Sequence, residues 1–567
     1  KASQGKSAFL NTEEKNRLQK ILADYSKDQE AFAILIKGYC HSHKTLQRVF
    51  GKIDDYTELL LPDNMLQTDG FLHLLNTTDA ISDEDYQKVE LIGWLYQFYI
   101  SEKKDDVFAS FNKGKKAEAK DIPAATQIFT PNWIVKYMVE NTAGKIWLDK
   151  HPNSALKTRM KYLVENDSDV IANETKQSLI KDITELTLID PAVGSGHILV
   201  EGFDLIYKMY LEEYYTPEEA VQSILRNNLF GLDIDDRAAQ LATFAILLKG
   251  AKVYPAIWGK DWLPNVYAMP EAEGFSLQEL KDFLGEDGAV FEEELEAALR
   301  LMKQAKNLGS IMKLSLSEEA RQYIEEHYTT LCKDDYLDLN LKSILQGLKN
   351  YIPILLILTN KYAAVVANPP YMVSGNMNAA LKNYVNINYP LSKSDLFAVF
   401  METCLSLNIK KGLMGMINQH SWMFLSSYKK LRSYILDNYG ILNMLHLGPR
   451  TFEELSGEVV QSTAFVLENG KSLENATYYR LVNFKNIHLK ETEFLSGNNK
   501  YIGVLQSSFS KIESTPIAYW AGENLFKLFE NESSLKNEVD IRSGISTGEN
   551  DRYYRYWFEV SDMDIEK

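Results

Sequence analysis

Cysteine is scarce: Cys40, Cys332 and Cys404 are the only three in 567 residues, with no metal-ligand spacing and no pairing pattern. That excludes a disulfide framework or a zinc module and leads us to expect a reducing cytosol. The nine histidines form no ligand cluster, and no metal is expected. Long apolar runs are missing too. Tyr351 to Leu358 is far too short to span a bilayer and contains Pro353, so no membrane is expected. Basic charge is in deficit, with 61 Lys and Arg against 78 Asp and Glu and a formal net charge of −17. Phosphate contacts need a basic surface, so this balance counts against nucleic acid at first sight. Much of the acid is local, however. Glu271 to Glu296 carries Glu271, Glu273, Glu279, Asp282, Glu286, Asp287, Glu292, Glu293, Glu294 and Glu296, which reads as a solvated helical insertion at about 270–350. A basic cleft elsewhere remains compatible with the total.

What is present starts with Asn368-Pro369-Pro370-Tyr371, at the end of the apolar run Tyr362 to Ala367, a buried strand by pattern. Two prolines remove two backbone donors and stiffen the chain. The Asn368 amide oxygen and the Pro369 carbonyl are left as fixed acceptors beside the ring of Tyr371. An exocyclic amino group on a planar base suits that set: two acceptors take its two hydrogens while the ring stacks on its face. The structural alternative is a tight turn after a core strand.

A second site lies upstream. Leu186 to Asp190 reads as a strand, Pro191-Ala192-Val193-Gly194-Ser195-Gly196 as a glycine-rich turn, and His197 to Tyr210 as a helix. This is the ligand-binding corner of a doubly wound sheet. The full G-x-G-x-x-G of a nicotinamide dinucleotide site is absent, and Asp190 would repel a pyrophosphate but attract an ammonium or sulfonium group. By itself the loop leaves a nucleotide-like ligand and a structural turn equally open. Leu229 to Asp233 is a further strand, followed by a helix from Arg237 to Leu248, and its terminal acid is placed to accept ribose hydroxyls. Between them Thr216 and Pro217 open a helix running to Arg226. In Trp258-Gly259-Lys260-Asp261-Trp262, Asp261 is either an acceptor for an adenine amino group or an exposed loop acid. Upstream, Gln127-Ile128-Phe129-Thr130-Pro131 reads as a helix entry with Thr130 as N-cap and Pro131 at the first helical position.

In this order the motifs resemble the S-adenosylmethionine-dependent amino-methyltransferases of DNA in the γ arrangement. Within them they resemble the adenine-specific methyltransferases of bacteriophage-exclusion (BREX) systems, the PglX family. The resemblance implies S-adenosylmethionine as cofactor, double-stranded DNA and other defence-system proteins as partners, and the bacterial cytoplasm as location. It leaves phage exclusion and ordinary restriction-modification both open. It implies that Thr130, Asp190 and the loop residues Ala192, Gly194 and Gly196 hold the methionine part, Asp233 the ribose and Asp261 the adenine amino group. Leu396 and Phe397 would form the apolar wall behind that adenine. Asn368, Pro369, Pro370 and Tyr371 would be catalytic, with Phe452 on the opposite face of a flipped base. Two other readings stay open: a protein-glutamine N-methyltransferase, and a DNA-binding scaffold that keeps the pocket without catalysis.

The expected fold is α/β, a Rossmann-like, mostly parallel sheet with an N-terminal helical domain. We expect helical residues 1–115, a methyltransferase domain over 116–500 and the start of a target-recognition region over 501–567. Strand candidates are Leu186–Asp190, Leu229–Asp233, Tyr362–Ala367, Gly412–Ile417 and Ala464–Leu467. In the N-terminal part Asn11 with Glu14 predicts a capped helix, and Ser82 a helix start. Glu102-Lys103-Lys104 matches half of a nuclease site but continues a helix, so it reads as a charged face. Arg552 and Arg555 among Tyr553, Tyr554, Tyr556, Trp557 and Phe558 suit nucleic-acid contact or a β-rich core edge equally. A chain that begins at Lys1 and ends at Lys567 is expected to be a piece of something larger.

Overall fold

The computed structural model describes residues 8–51, 61–126, 129–165, 178–452, 460–471, 476–531 and 539. Gln127, Ile128 and the aromatic-basic stretch beyond Ser543 lie outside them, as does the side chain of Glu102.

A nine-stranded sheet organises the chain. Its strands are β1 (Leu188–Asp190), β2 (Leu229–Asp233), β3 (Asn265–Ala268), β4 (Tyr362–Ala367), β5 (Asn408–Gln419), β6 (Gly440–Gly448), β7 (Ser462–Glu468), β8 (Ala476–Arg480) and β9 (Lys500–Val504). The spatial order is β3-β2-β1-β4-β5-β7-β6-β8-β9. Strands β1 to β5 are mutually parallel, β7 runs antiparallel between β5 and β6, and β9 is antiparallel to β8. Both faces are covered. Val365 and Ala367 enter one apolar cluster, and Ala364 and Val366 enter the other. A strand buried on both faces has no polar alternation, which is why β4 reads as one apolar run.

Four helices position the ligand edge: α1 (Glu90–Asn112), α2 (Asn132–Val139), α3 (His197–Glu212) and α4 (Asp236–Val253). A fifth, α5 (Leu396–Ser406), follows β4. The caps expected from sequence form at Asn11 and Thr216, and each is a capping box, with Glu14 and Glu219 respectively. Ser82 does not open the long helix. It pairs with Asp85 in a tight turn, and α1 begins at Glu90. Between β3 and β4 stand Leu277–Gly288, Glu292–Met302, Glu318–Lys333 and Leu339–Leu348, all helical, with acids such as Glu286, Asp287 and Glu293 exposed. Among the described residues no single helix is long and apolar enough to cross a membrane.

The order β2-β1-β4 makes β1 the strand from which the chain departs in both directions. In an open parallel sheet that reversal leaves a crevice at the carboxyl edge, where ligands bind. The glycine loop after β1, Asp233 at the end of β2 and Asn368 just after β4 are therefore neighbours in space.

Candidate active site

Local geometry of the glycine loop follows from its sequence. Gly196 has φ +89°, and a Cβ there would come within 2.8 Å of the Ala242 Cα, so only glycine allows the loop to lie against α4. Gly194 has φ +52°, and its Cβ position faces open space in the cleft. The Asp190 carboxylate accepts the Ala192 N–H at 3.0 Å, and Asp233 accepts those of Gly194 at 2.8 Å and Asp235 at 2.9 Å. Two acids thus shape one loop. Burial, reinforced by the Asp233 charge, pushes the Asp190 carboxyl up to about 8, and burial pushes Asp233 up to about 6.

These groups line one cleft with Thr130, Ser195, His197, Ile234, Asp235, Leu308, Asn368, Pro370, Leu396 and Phe400. Helix α1 closes one side: the Tyr96 hydroxyl donates to Asp235 at 2.9 Å. The closeness is steric as well, since a Cβ on Gly93 would meet the His197 ring at 2.5 Å. The cleft fits S-adenosylmethionine. Bare Cβ space at Gly194 and again at Gly309 (φ +57°) lets a ligand approach the backbone. A buried carboxylate, Asp190, and a partly buried one, Asp233, suit a cationic amine and a ribose, and aliphatic and aromatic walls suit a flat base.

Thr130 corrects the expectation made for it. The helix starts one residue later, at Asn132, with Pro131 in the capping position and no side-chain cap. The buried Thr130 hydroxyl instead accepts the Asn368 Nδ2 at 2.9 Å. A buried amide needs its partners, and this one ties the helix entry to the motif after β4. In this arrangement the amide nitrogen points toward Thr130.

Asp261 is not in the cleft. It ion-pairs with Arg48 in a separate depression beside Trp258 and Lys260, and its side chain is 82% exposed. An acid so hydrated gains more from water and a guanidinium than from burial. Leu396 lines the cleft as expected, but Phe397 does not. On α5, Leu396 and Phe400 share a face at i, i+4. Phe397 is turned away and packs against Tyr371 (6.0 Å) and Tyr428 (5.6 Å). Phe452 does come near Tyr371, with centroids 6.5 Å apart and planes at 67°. That is an edge contact, and it leaves no parallel slot for a base between the two rings.

Sequence reasoning missed two elements. Asp395, at the N-terminus of α5, accepts the N–H groups of Met372 (2.9 Å) and Phe397 (3.3 Å), and the Leu396 N–H donates to the Met372 carbonyl at 3.0 Å. It fastens the chain just past Tyr371. Its place before a helix was the available signal. The second is Asn307–Ser310, delivered to the cleft by the acidic insertion, for which no local signal existed.

The family model described as "Eco57I restriction-modification methylase" matches residues 227–452. The chain is 38% identical to the adenine-specific methyltransferase BrxX of Escherichia coli O9:H4 (strain HS), over 97% of this chain and 47% of that protein. It is 39% identical to the adenine-specific methyltransferase PglX of Lacticaseibacillus casei (strain Zhang), over 91% of this chain and 44% of that one. Among solved structures the DrdV–DNA complex aligns with TM-score 0.43 and 13% identity, over 92% of this chain and 44% of that one. The chain spans about half the length of the curated relatives it matches. With the glycine loop, the carboxylates and Asn-Pro-Pro-Tyr gathered at one sheet edge, the chain is similar along nearly its whole length to the adenine-specific methyltransferases BrxX and PglX.

Proposed function

We propose that this chain is the methyl-transferring part of a site-specific DNA adenine N6-methyltransferase of a bacterial phage-defence system. The observation that carries the reading is the Asn368–Thr130 hydrogen bond at the rim of the glycine-loop cleft. It ties the side chain assigned to the incoming amine into the same cleft as Asp190 and Asp233. When bound, S-adenosylmethionine supplies an electrophilic methyl group on a sulfonium centre. Asp190 and the backbone of the glycine loop hold its methionine part, and Asp233 its ribose.

The chain's own contribution is placement. A base paired within a duplex hides its amino group, so the adenine must be extruded. The Asn368 oxygen and the Pro369 carbonyl accept its two amino hydrogens, and Tyr371 offers a ring face. Holding both hydrogens draws the nitrogen lone pair out of conjugation with the base and fixes its direction. Orientation and preorganised acceptors are the main sources of rate in such a site. No covalent enzyme intermediate is needed, and Cys404, buried in the core, is in no position to form one. On this reading residues 1–115 are a helical region, 116–500 the methyltransferase region and 501–567 the beginning of target recognition. Double-stranded DNA is the substrate, and other defence proteins are partners.

The test is incubation with methyl-labelled S-adenosylmethionine and either duplex DNA or a glutamine-bearing protein, followed by identification of the methylated product. N6-methyladenine in DNA is expected. Label confined to protein glutamine would overturn the reading.

A further inference from the structure

With Asp261 outside the cleft, the adenine end of the cofactor site lacks the polar partner that the resemblance gave it. The acidic insertion between β3 and β4 supplies another. Its segment Ala305–Ile311 returns to the sheet edge and is pinned to the loops after β1 and β2. Ser310 Oγ donates to the Pro191 carbonyl at 2.5 Å, and Lys306 Nζ donates to the Ile234 carbonyl at 3.2 Å. Anchored this way, Asn307, Leu308, Gly309 and Ser310 line the cleft together with Ile234. Gly309 has φ +57°, and a Cβ there would meet only the Ile234 Cδ1, at 4.0 Å. The backbone at this point is a bare concave surface of the sort a closely bound ring requires.

The Asn307 amide is oriented by a chain of hydrogen bonds. Asn378 Oδ1 accepts the Leu381 N–H at 2.9 Å as the cap of helix Ala379–Asn388. Its Nδ2 is thereby the donor, reaching the Ala117 carbonyl at 3.2 Å and Asn307 Oδ1 at 2.7 Å. The oxygen of Asn307 is committed, and its Nδ2 is the group left for a ligand. Such a donor matches a ring nitrogen of adenine, not its amino group. The cleft's other polar side chains have different tasks. Asp190 and Asp233 bind glycine-loop N–H groups, Asp235 takes Tyr96 and Arg237, Thr130 takes Asn368, Ser195 Oγ and His197 Nδ1 bond each other at 3.0 Å, and Ser310 takes the Pro191 carbonyl.

We propose that the Asn307–Ser310 segment walls the cofactor's adenine site and that Asn307 Nδ2 is its specificity-determining donor to a ring nitrogen. Ile234 and Leu308 provide the apolar faces. The inference rests on the reading of the cleft as an S-adenosylmethionine site. It makes the insertion a working part of that site.

Equilibrium binding of S-adenosylhomocysteine and its 1-deaza, 3-deaza and 7-deaza analogues to the parent, Asn307→Asp and Asp233→Ala proteins tests it. Asn307→Asp keeps the oxygen that Asn378 needs and removes the donor; Asn307→Ala serves if the added carboxylate disturbs folding. The parent should lose about 3- to 10-fold in affinity for one of the three analogues, the size of one hydrogen bond. Asn307→Asp should bind the unmodified ligand weaker by a similar factor and no longer distinguish that analogue. Asp233→Ala should weaken all four ligands alike and keep the discrimination, because the two residues act on different parts of the ligand. An Asn307→Asp protein that retains the parent's pattern across the analogues would overturn the proposal while leaving the cofactor reading intact. A parent protein that binds none of the four would overturn both.

Discussion

Two demands meet in the carboxylate of Asp190. It must shape the glycine loop through the Ala192 N–H, and it must stay buried within reach of the Asp233 charge. Its carboxyl is pushed up to about 8 and that of Asp233 to about 6, both above the ordinary 3.8. The sign of the consequence is definite. Across this range the folded protein holds more protons than the unfolded chain, so ligand-free stability falls as pH rises from about 4 to 8. A ligand cation reverses the preference by favouring ionised Asp190. Affinity for S-adenosylhomocysteine, which carries an amine, should therefore increase between pH 6 and 8, with proton release on binding. Calorimetry in two buffers of different ionisation enthalpy measures that release; proton uptake would contradict the assignment of Asp190 to the amine. The place of this cleft was legible in sequence, because Asn368, Gly194, Gly196, Asp190 and Asp233 all stand at or just after strand ends that the topology brings together. Thr130 was expected to cap a helix, whereas its hydroxyl binds a residue 238 positions away in sequence. Asp261 misled because a carboxylate between aromatics looks the same in sequence whether it faces a cleft or Arg48.

Elements succeed or fail as predictions according to how local their causes are. Strands β1, β2 and β4 carry enough apolar pattern and terminal punctuation to be read directly. Strands β3 and β9 form the sheet's two edges and β6 and β8 lie inside it, held by pairing with neighbouring strands that is invisible in a window of a few residues. The contact between Met372 and α5 is similar. Asp395 belongs by sequence to a helix start, and by structure to the motif after β4. Asp395→Ala should remove a cap and orphan the Met372 N–H. The expected loss is about 2–4 kcal/mol of folding stability, from roughly 1 for the cap and 1–3 for the stranded donor. Urea denaturation reads it. Asp395→Asn keeps an acceptor oxygen and should lose less; equal losses would mean that the acceptor is not what matters.

For the molecule as a whole, the net charge of −17 and the proposed DNA substrate have to coexist. The acidic insertion carries exposed Glu286, Asp287 and Glu293 on helices that lie between β3 and β4 in the chain. Long-range repulsion acts on encounter rates and is screened within about 10 Å at 0.1 M salt. Replacing these three acids by their amides should raise the DNA association rate a few-fold at low salt, and the gain should vanish at high salt. A gain that persists at high salt would point to a direct contact instead.

The central claim is that one cleft does two separable jobs, with Asp233 on the cofactor side and Asn368 on the amine side. The direct measurement pairs calorimetry of S-adenosylhomocysteine with labelled methyl transfer to duplex DNA, in the parent, Asp233→Ala and Asn368→Ala proteins. Asn368→Ala should bind the ligand like the parent and transfer no methyl. Asp233→Ala should bind it about 5- to 150-fold more weakly, the range of roughly 1–3 kcal/mol for hydrogen bonds to a charged group. Transfer by Asn368→Ala near the parent rate, or an unchanged dissociation constant in Asp233→Ala, would contradict the account.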